Sequence, residues 1–318
     1  MNLIAHYNHM YHNWYVGELY KKLLDKISEI EGINLEIRHT NELSSHMNIP
    51  TDYHNGLPSI LSCYNLLIQN KDNGKTFIHS FQDYAPAMLD DRSGISNFDV
   101  SMFACASRLD QTFIDTFSHK TIVQPSIYIL ELLDEHNMIE KNRFNPKINP
   151  KLYFNGLCYG IRETYRNILS QSEFFDFRKK DTAEFYKSKE LYYNELSNYK
   201  NGFNLDGAAK ICYRDLEYFG MGTLLFREKL DVLTYEPIID GQHYVTIIDD
   251  DIKSKIHDPS NYDYIINKLE NNIKEIIENE KLVTDIVGEA RGYFERNVLP
   301  ENQVEILFSF LKDFEIFK

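Results

Sequence analysis

The chain has 318 residues, 43% hydrophobic and 14% aromatic, which is enough apolar material for about two domain cores. Its 48 acidic and 34 basic side chains leave a formal charge of −14. That excludes the broad basic face of a nucleic-acid binder but allows a local anion site. Cys63, Cys105, Cys158 and Cys212 are scattered, with no CxxC pair, and read as reduced core residues of a cytoplasmic protein rather than a disulfide frame or zinc site.

The opening MNLIAHYNHMYHNWY has neither a basic n-region nor an apolar core, so no signal peptide is expected. No stretch reaches the ~18 apolar residues of a membrane span. Residues 3–7 predict a strand, 12–30 a helix with Trp14, Leu19, Leu23, Leu24 and Ile27 on one side, and 33–38 a second strand. This strand–helix–strand order points to a parallel α/β unit. Residues 57–69 read as a helix, Asn73-Gly74 as a turn, and 76–81, 98–106 and 121–125 as further strands. His6, His9 and His12 are spaced like metal ligands, but they straddle a strand, a loop and a helix start, so no metal is expected there.

Pro146 to Lys151 reads as a linker or domain edge. Beyond it a second α/β unit is expected. A strand over 152–154 leads to a turn bounded by Gly156 and Gly160, then a helix over 162–170 and a tyrosine-rich helix or loop over 186–199. Residues 204–226, NLDGAAKICYRDLEYFGMGTLLF, form the central stretch: an apolar lead-in, an Asp-Gly turn, a helix carrying one arginine, and a Gly-bounded strand. A turn feeding a helix N-terminus offers unpaired N–H groups and the positive end of the helix dipole to a phosphate. The planar fork of Arg214 suits a diphosphate. The alternative is an ordinary loop and a surface ion pair. A strand over 244–248, helices over 262–279 and 281–297, and an amphipathic helix over 303–314 complete the chain. Asp249-Asp250-Asp251 contains an Asp-x-Asp pattern that reads as a solvated loop after a strand. Two tandem α/β domains imply a cleft, with Asp83, Gly156 to Arg162 and Asp206 to Arg214 each just beyond a strand and facing it.

Four of these segments resemble glycosyltransferase family 90. Ser80-Phe81-Gln82-Asp83-Tyr84 is similar to a family strand ending in Arg-Asp-Tyr/Trp-Pro. Phe154-Asn155-Gly156 through Arg162 is similar to Phe-Arg-Gly followed by an arginine. Leu205-Asp206-Gly207 with Arg214 is similar to the Leu-Asp-Gly…Ser-x-x-Arg donor motif. Glu236-Pro237 with Gln242-His243-Tyr244-Val245 is similar to Pro…His-Tyr-Val-Pro. Order and spacing agree over residues 75–300. The chain departs at Asn155, where the family has arginine, at Lys210-Ile211-Cys212, and at Ala85 before Pro86.

The resemblance implies a GT-B-like α/β fold of two Rossmann-type domains: residues 1–130 on the acceptor side, 131–300 binding the donor, and 301–318 as a C-terminal helix packing back on the first. It further implies an inverting, metal-independent transferase of the xylose or glucose class. The substrate would be a nucleotide sugar, UDP-linked, with no separate cofactor, and the acceptor a glycan or glycolipid precursor. Asp83 would be the base. Arg214, the backbone at Gly207 and Ala208, Arg162 and Gly156 would hold the donor. Glu217 would touch the ribose or form an ion pair with Arg214 along its helix, and His6 and Tyr84 would meet the acceptor. Two other readings stay open: a metal-dependent transferase using Asp249 to Asp251, and a non-catalytic glycan-binding protein on a transferase scaffold.

Overall fold

The computed structural model describes residues 1–8, 15–40, 66–80, 100–104, 121–125, 135–156, 158, 160–178, 189–206, 211–231, 234–313 and 316–317. The chain is α/β and divides into two compact units. One comprises Met1–Leu133, Val232–Pro237 and Asn297–Lys318; the other comprises Asp134–Asp231 and Ile238–Arg296.

The first unit is built on six strands: β1 (Asn2–Asn8), β2 (Asn34–Thr40), β3 (Leu66–Asn70), β4 (Thr76–Ser80), β5 (Val100–Ala104) and β6 (Thr121–Pro125). They lie in the order β2-β1-β3-β4-β5-β6. Five strands run parallel, and β3 lies antiparallel between β1 and β4. β3 replaces the last residues, 66–69, of the helix expected over 57–69; residues 57–65 lie outside the described residues. Its Leu-Leu-Ile run fits either period, and pairing on both sides decides for the strand. The Asn73-Gly74 turn is present, with Gly74 at φ +77°, a value a side chain would resist. Helix α1 (Tyr15–Ser28) buries Leu19, Leu23, Leu24 and Ile27. Lys22 and Lys26 of α1 pair with Glu301 and Glu305, on a C-terminal helix over Pro300–Asp313. The Phe77 and Phe310 rings pack in a tilted pair, 5.6 Å between centres, within the same unit.

The second unit alternates strand and helix. In chain order it contains α2 (Glu135–Asn142), β7 (Asn149–Phe154), α3 (Ile161–Leu169), β8 (Phe175–Phe177), α4 (Lys189–Leu196), β9 (Tyr199–Asn204), α5 (Tyr213–Met221), β10 (Leu224–Glu228) and β11 (Val245–Ile248). Helices α6 (Asp250–Lys255), α7 (Tyr262–Glu278) and α8 (Glu280–Asn297) follow. Residues 146–151, read as a linker, run directly into β7. The five strands are all parallel, in the order β11-β10-β9-β7-β8. Numbered along the chain, this is the doubly wound 2-1-3-4-5 sheet, whose order reverses between β7 and β9.

Both faces of this sheet are packed, which is why its strands read as apolar runs. On one face Phe154, Phe203 and Phe226 meet Tyr165 and Ile168 of α3 and Ile265, Leu269 and Ile273 of α7 in one core. Toward α5, Gly202 leaves room for Tyr218: a β-carbon on Gly202 would lie 2.4 Å from that ring. The Tyr218 hydroxyl then donates to the Tyr153 carbonyl at 2.6 Å. No helix among the described residues is long and apolar enough to cross a membrane.

Candidate functional site

Parallel strands end with their carbonyl edges on one side of the sheet, and in an open sheet the crevice at the order reversal is where ligands bind. Here the chain leaves β7 at Asn155-Gly156 and leaves β9 at Leu205-Asp206. Polar residues gather at these ends. Asn155, Asn204, Arg227 and Glu228 are all buried, as are Arg162 and Arg214.

Arg162, in the first turn of α3, donates through Nε to the Asp206 carbonyl at 2.8 Å and through Nη2 to the Leu205 carbonyl at 2.5 Å. It ties the exit of β9 to α3. The Asp206 amide is held by Glu228 Oε1 at 2.8 Å, and the Asp206 carboxylate accepts from Arg227 Nη2 at 2.8 Å. Arg227 Nη1 also lies 2.7 Å from Asp215 Oδ2. Asp215 takes the Asn204 amide at 2.6 Å and the Cys212 N–H at 3.0 Å. A lattice of paired charges therefore holds Leu205 and Asp206 at the exit of β9 and Cys212 at the start of α5.

Arg214 lies inside this lattice but outside its pairing. It is 5% exposed. Its Nη1 reaches only Asn204 Oδ1 at 3.4 Å and Cys212 Sγ at 3.9 Å, and its Nε has no partner. Among the described residues no carboxylate lies within 4.0 Å of it. Its guanidinium carbon is 5.5 Å from the Phe154 ring centre. It also occupies the first turn of α5, next to the positive end of the helix dipole. A buried cation without a counter-charge is costly, and the helix field adds to that cost. An anion at this place would relieve both. Gly156 permits the approach: a β-carbon there would sit 2.6 Å from Phe154 Cζ and 3.2 Å from Arg214 Nη1.

The structure thus brings Gly156, Arg162 and Arg214 together. Gly207, Ala208, Asp83 and Tyr84 lie outside the described residues. Helix α5 starts at Tyr213, with Cys212 as its N-cap, so it does not spring directly from the Asp-Gly turn as expected. Glu217 is one turn beyond Arg214 and fully buried. Its carboxylate accepts from Tyr192 at 2.5 Å and Tyr193 at 2.8 Å, not from Arg214. Burial, reinforced by Glu135, pushes its pKa up to about 7. His6 is buried in β1, in the other unit. Burial, with Arg38 and Lys71 adding to it, lowers its pKa to about 4, so the ring is neutral at pH 7.

The Asp-x-Asp run is not a loop. Asp249 caps α6 by accepting from the Ile252 N–H at 2.9 Å and pairs with Lys268 at 2.8 Å. Asp251 is held by Lys255, Lys268 and Tyr264. These carboxylates are engaged by protein donors, and no cluster of candidate metal ligands occurs among the described residues. His243 accepts the Ile239 N–H on Nδ1 at 2.9 Å and packs on Tyr293. Sequence reasoning passed over Asn204, Asp215, Arg227 and Glu228. For Asn204, Arg227 and Glu228 the signal was present as polar residues ending apolar strands; Asp215 lies in the first turn of α5.

No protein-family model and no curated sequence matches the chain. Similar solved structures include Anabaena HepE in complex with UDP-glucose, at 9% identity and TM-score 0.41 over 74% of this chain and 78% of that one. The pneumococcal O-GlcNAc transferase GtfA in complex with UDP and GlcNAc gives 14% identity and TM-score 0.40, over 70% of this chain and 46% of GtfA. WaaG, a glycosyltransferase involved in lipopolysaccharide biosynthesis, gives 10% identity and TM-score 0.36 over 91% and 95%. At these scores the likenesses decide nothing about chemistry, and the functional reading rests on the geometry around Arg214.

Proposed function

We propose that the second unit binds the diphosphate of a nucleotide sugar at the β7/β9 switch point, and that the protein is a glycosyltransferase. One observation carries the reading: a buried arginine, at a helix N-terminus and at the switch-point edge of a doubly wound sheet, with no carboxylate among the described residues to neutralise it. Arg162 shapes the loop that borders the diphosphate, and Arg214 takes up the charge that develops on it as it leaves. The family resemblance extends the proposal to a GT-B-like pair of domains and an inverting, metal-independent reaction. The donor is a UDP-sugar of the xylose or glucose class, and the acceptor a hydroxyl of a glycan or glycolipid precursor. In that reaction Asp83 takes the proton of the attacking hydroxyl as the bond from the anomeric carbon to the diphosphate breaks. Tyr84 and His6 belong to the acceptor side.

Thermal unfolding of the full chain across a panel of UDP, GDP and their sugars tests the reading. A ligand at a hundredfold excess over its Kd stabilises by about 2.7 kcal/mol, and Arg214→Met should erase that shift. Asp83→Asn should abolish transfer while donor binding persists. A panel without any shift would sink the proposal and leave the glycan-binding alternative.

A further inference from the structure

The end of β7 carries a second buried polar atom without a partner. Asn155 is 3% exposed, and its Oδ1 meets no donor. Its Nδ2 donates to the Tyr153 hydroxyl oxygen at 2.8 Å. That orientation of the amide is dictated by the next group along. The Tyr153 hydroxyl donates to Glu195 Oε2 at 3.0 Å, and Glu195 is ion-paired with Arg178. An ionised carboxylate only accepts. The phenol therefore directs its single proton to Glu195 and can only accept from Asn155. Burial, together with the Glu195 charge, pushes the Tyr153 pKa far above its usual value, so the proton stays in place. Asn155 is thereby fixed with its NH2 toward Tyr153 and its carbonyl oxygen turned away, as a preset acceptor.

The following residue is Gly156, whose absent β-carbon marks the approach of Arg214. A buried orphan acceptor, Asn155 Oδ1, and a buried orphan donor, Arg214 Nε, thus belong to the same strand exit at the switch point. Buried polar groups are almost always satisfied, so each orphan asks for a partner. A bare anion would satisfy the arginine and leave the amide oxygen unpaired. A ligand bearing a hydroxyl beside its anionic group would satisfy both.

We infer that Asn155 is a specificity-determining residue that accepts a hydrogen bond from a hydroxyl of the ligand whose anionic group lies against Arg214. The ligand class is a phosphorylated polyol, and in a nucleotide sugar the hydroxyl belongs to the ribose or to the transferred sugar. This rests on the diphosphate reading above and narrows it. An arginine, which stands here in the family the chain resembles, would only donate; this chain presents the opposite polarity.

Calorimetric titration of the full chain tests the inference. The probes are UDP, 2′-deoxy-UDP and 3′-deoxy-UDP for the ribose, and UDP-glucose with its 2-, 3-, 4- and 6-deoxy forms for the sugar. One deoxy probe should bind the wild type about tenfold more weakly than its parent, the worth of one neutral hydrogen bond. Asn155→Ala should bind the two alike. Tyr153→Phe, which frees the amide to turn, should blunt the preference, and it carries the test should Asn155→Ala not fold. The inference is overturned if every deoxy probe matches its parent, or if Asn155→Ala keeps the wild-type ratio. A wild type that binds no nucleotide sinks the diphosphate reading itself, whereas binding with an unchanged ratio sinks only the role of Asn155.

Discussion

Two arginines of the second unit, Arg214 and Arg227, are both buried and oppositely provided for. Arg227 is flanked by the Asp206 and Asp215 carboxylates at 2.8 and 2.7 Å. Arg214 has a long contact to an amide oxygen, a longer one to a sulfur, and a bare Nε. The first arrangement is what a fold does with a charge it needs for its own architecture. The second leaves a desolvated cation with no carboxylate partner among the described residues, which is the observation behind the proposed diphosphate site. Burial alone therefore does not distinguish the two arginines; the state of their counter-charges does.

The comparison predicts its own breaking points. Arg227→Met should have the largest effect, because it strands two carboxylates in a buried lattice. A loss of ~3–5 kcal/mol is expected, read by urea unfolding, and a near-neutral result would remove Arg227 from the framework. Glu217→Gln comes next and acts with a pH signature. The folded pKa of about 7 lies above the ordinary 4.5, so the folded chain holds more protons than the unfolded one between these values. The stability contributed by the neutral carboxyl is fully present below pH 4.5 and is lost as pH rises through 7. Glu217→Gln should therefore be more stable than wild type at pH 8, by up to about 3 kcal/mol, and should show little difference at pH 4. Unfolding at the two pH values checks both sign and size.

Gly156→Ala should cost ~1–3 kcal/mol, the usual scale of overpacking, as the Phe154 ring and the Arg214 guanidinium give way to the new methyl. It should also weaken diphosphate binding, which separates it from a purely steric lesion elsewhere. The smallest stability effect is expected at Arg214 itself. Because it pairs with no carboxylate among the described residues, Arg214→Met should change stability by no more than about 1 kcal/mol while abolishing the nucleotide-dependent thermal shift. A loss as large as that of Arg227→Met would show that the two arginines are alike and end the distinction.

Much of the fold was legible in advance because local patterns there agree with tertiary need. The alternation in 34–38 and the helical stripe of α1 each have one reading. The Leu66 to Asn70 segment does not: three consecutive apolar residues carry no period, and only pairing with β1 and β4 makes it a strand. β8, three residues long, is too short to announce itself. β9 was legible only at its end, since Tyr-Lys-Asn-Gly hides the run that Gly202 opens for Tyr218. Asp249 read as a loop because an N-cap and a loop aspartate look alike until the helix beyond is seen. At the site, Gly156, Arg162 and Arg214 were legible as a Gly-bounded turn and arginines near helix starts. Asn155 was visible only as a departure from a motif.

What the sequence determined unaided is the alternation of strand and helix and the positions after strands where Gly156, Arg162 and Arg214 stand, because those are set by neighbours a few residues apart. What only the tertiary structure decided is which charges are answered. Arg227 finds Asp206 and Asp215 across 21 and 12 residues of chain. Glu217 turns to Tyr192 and Tyr193 rather than to Arg214, three residues away. Pairing inside a protein is settled by which side chains the sheet order places together. The contrast of Arg214 with Arg227 appears only once the partners of Arg227 and Glu217 are seen.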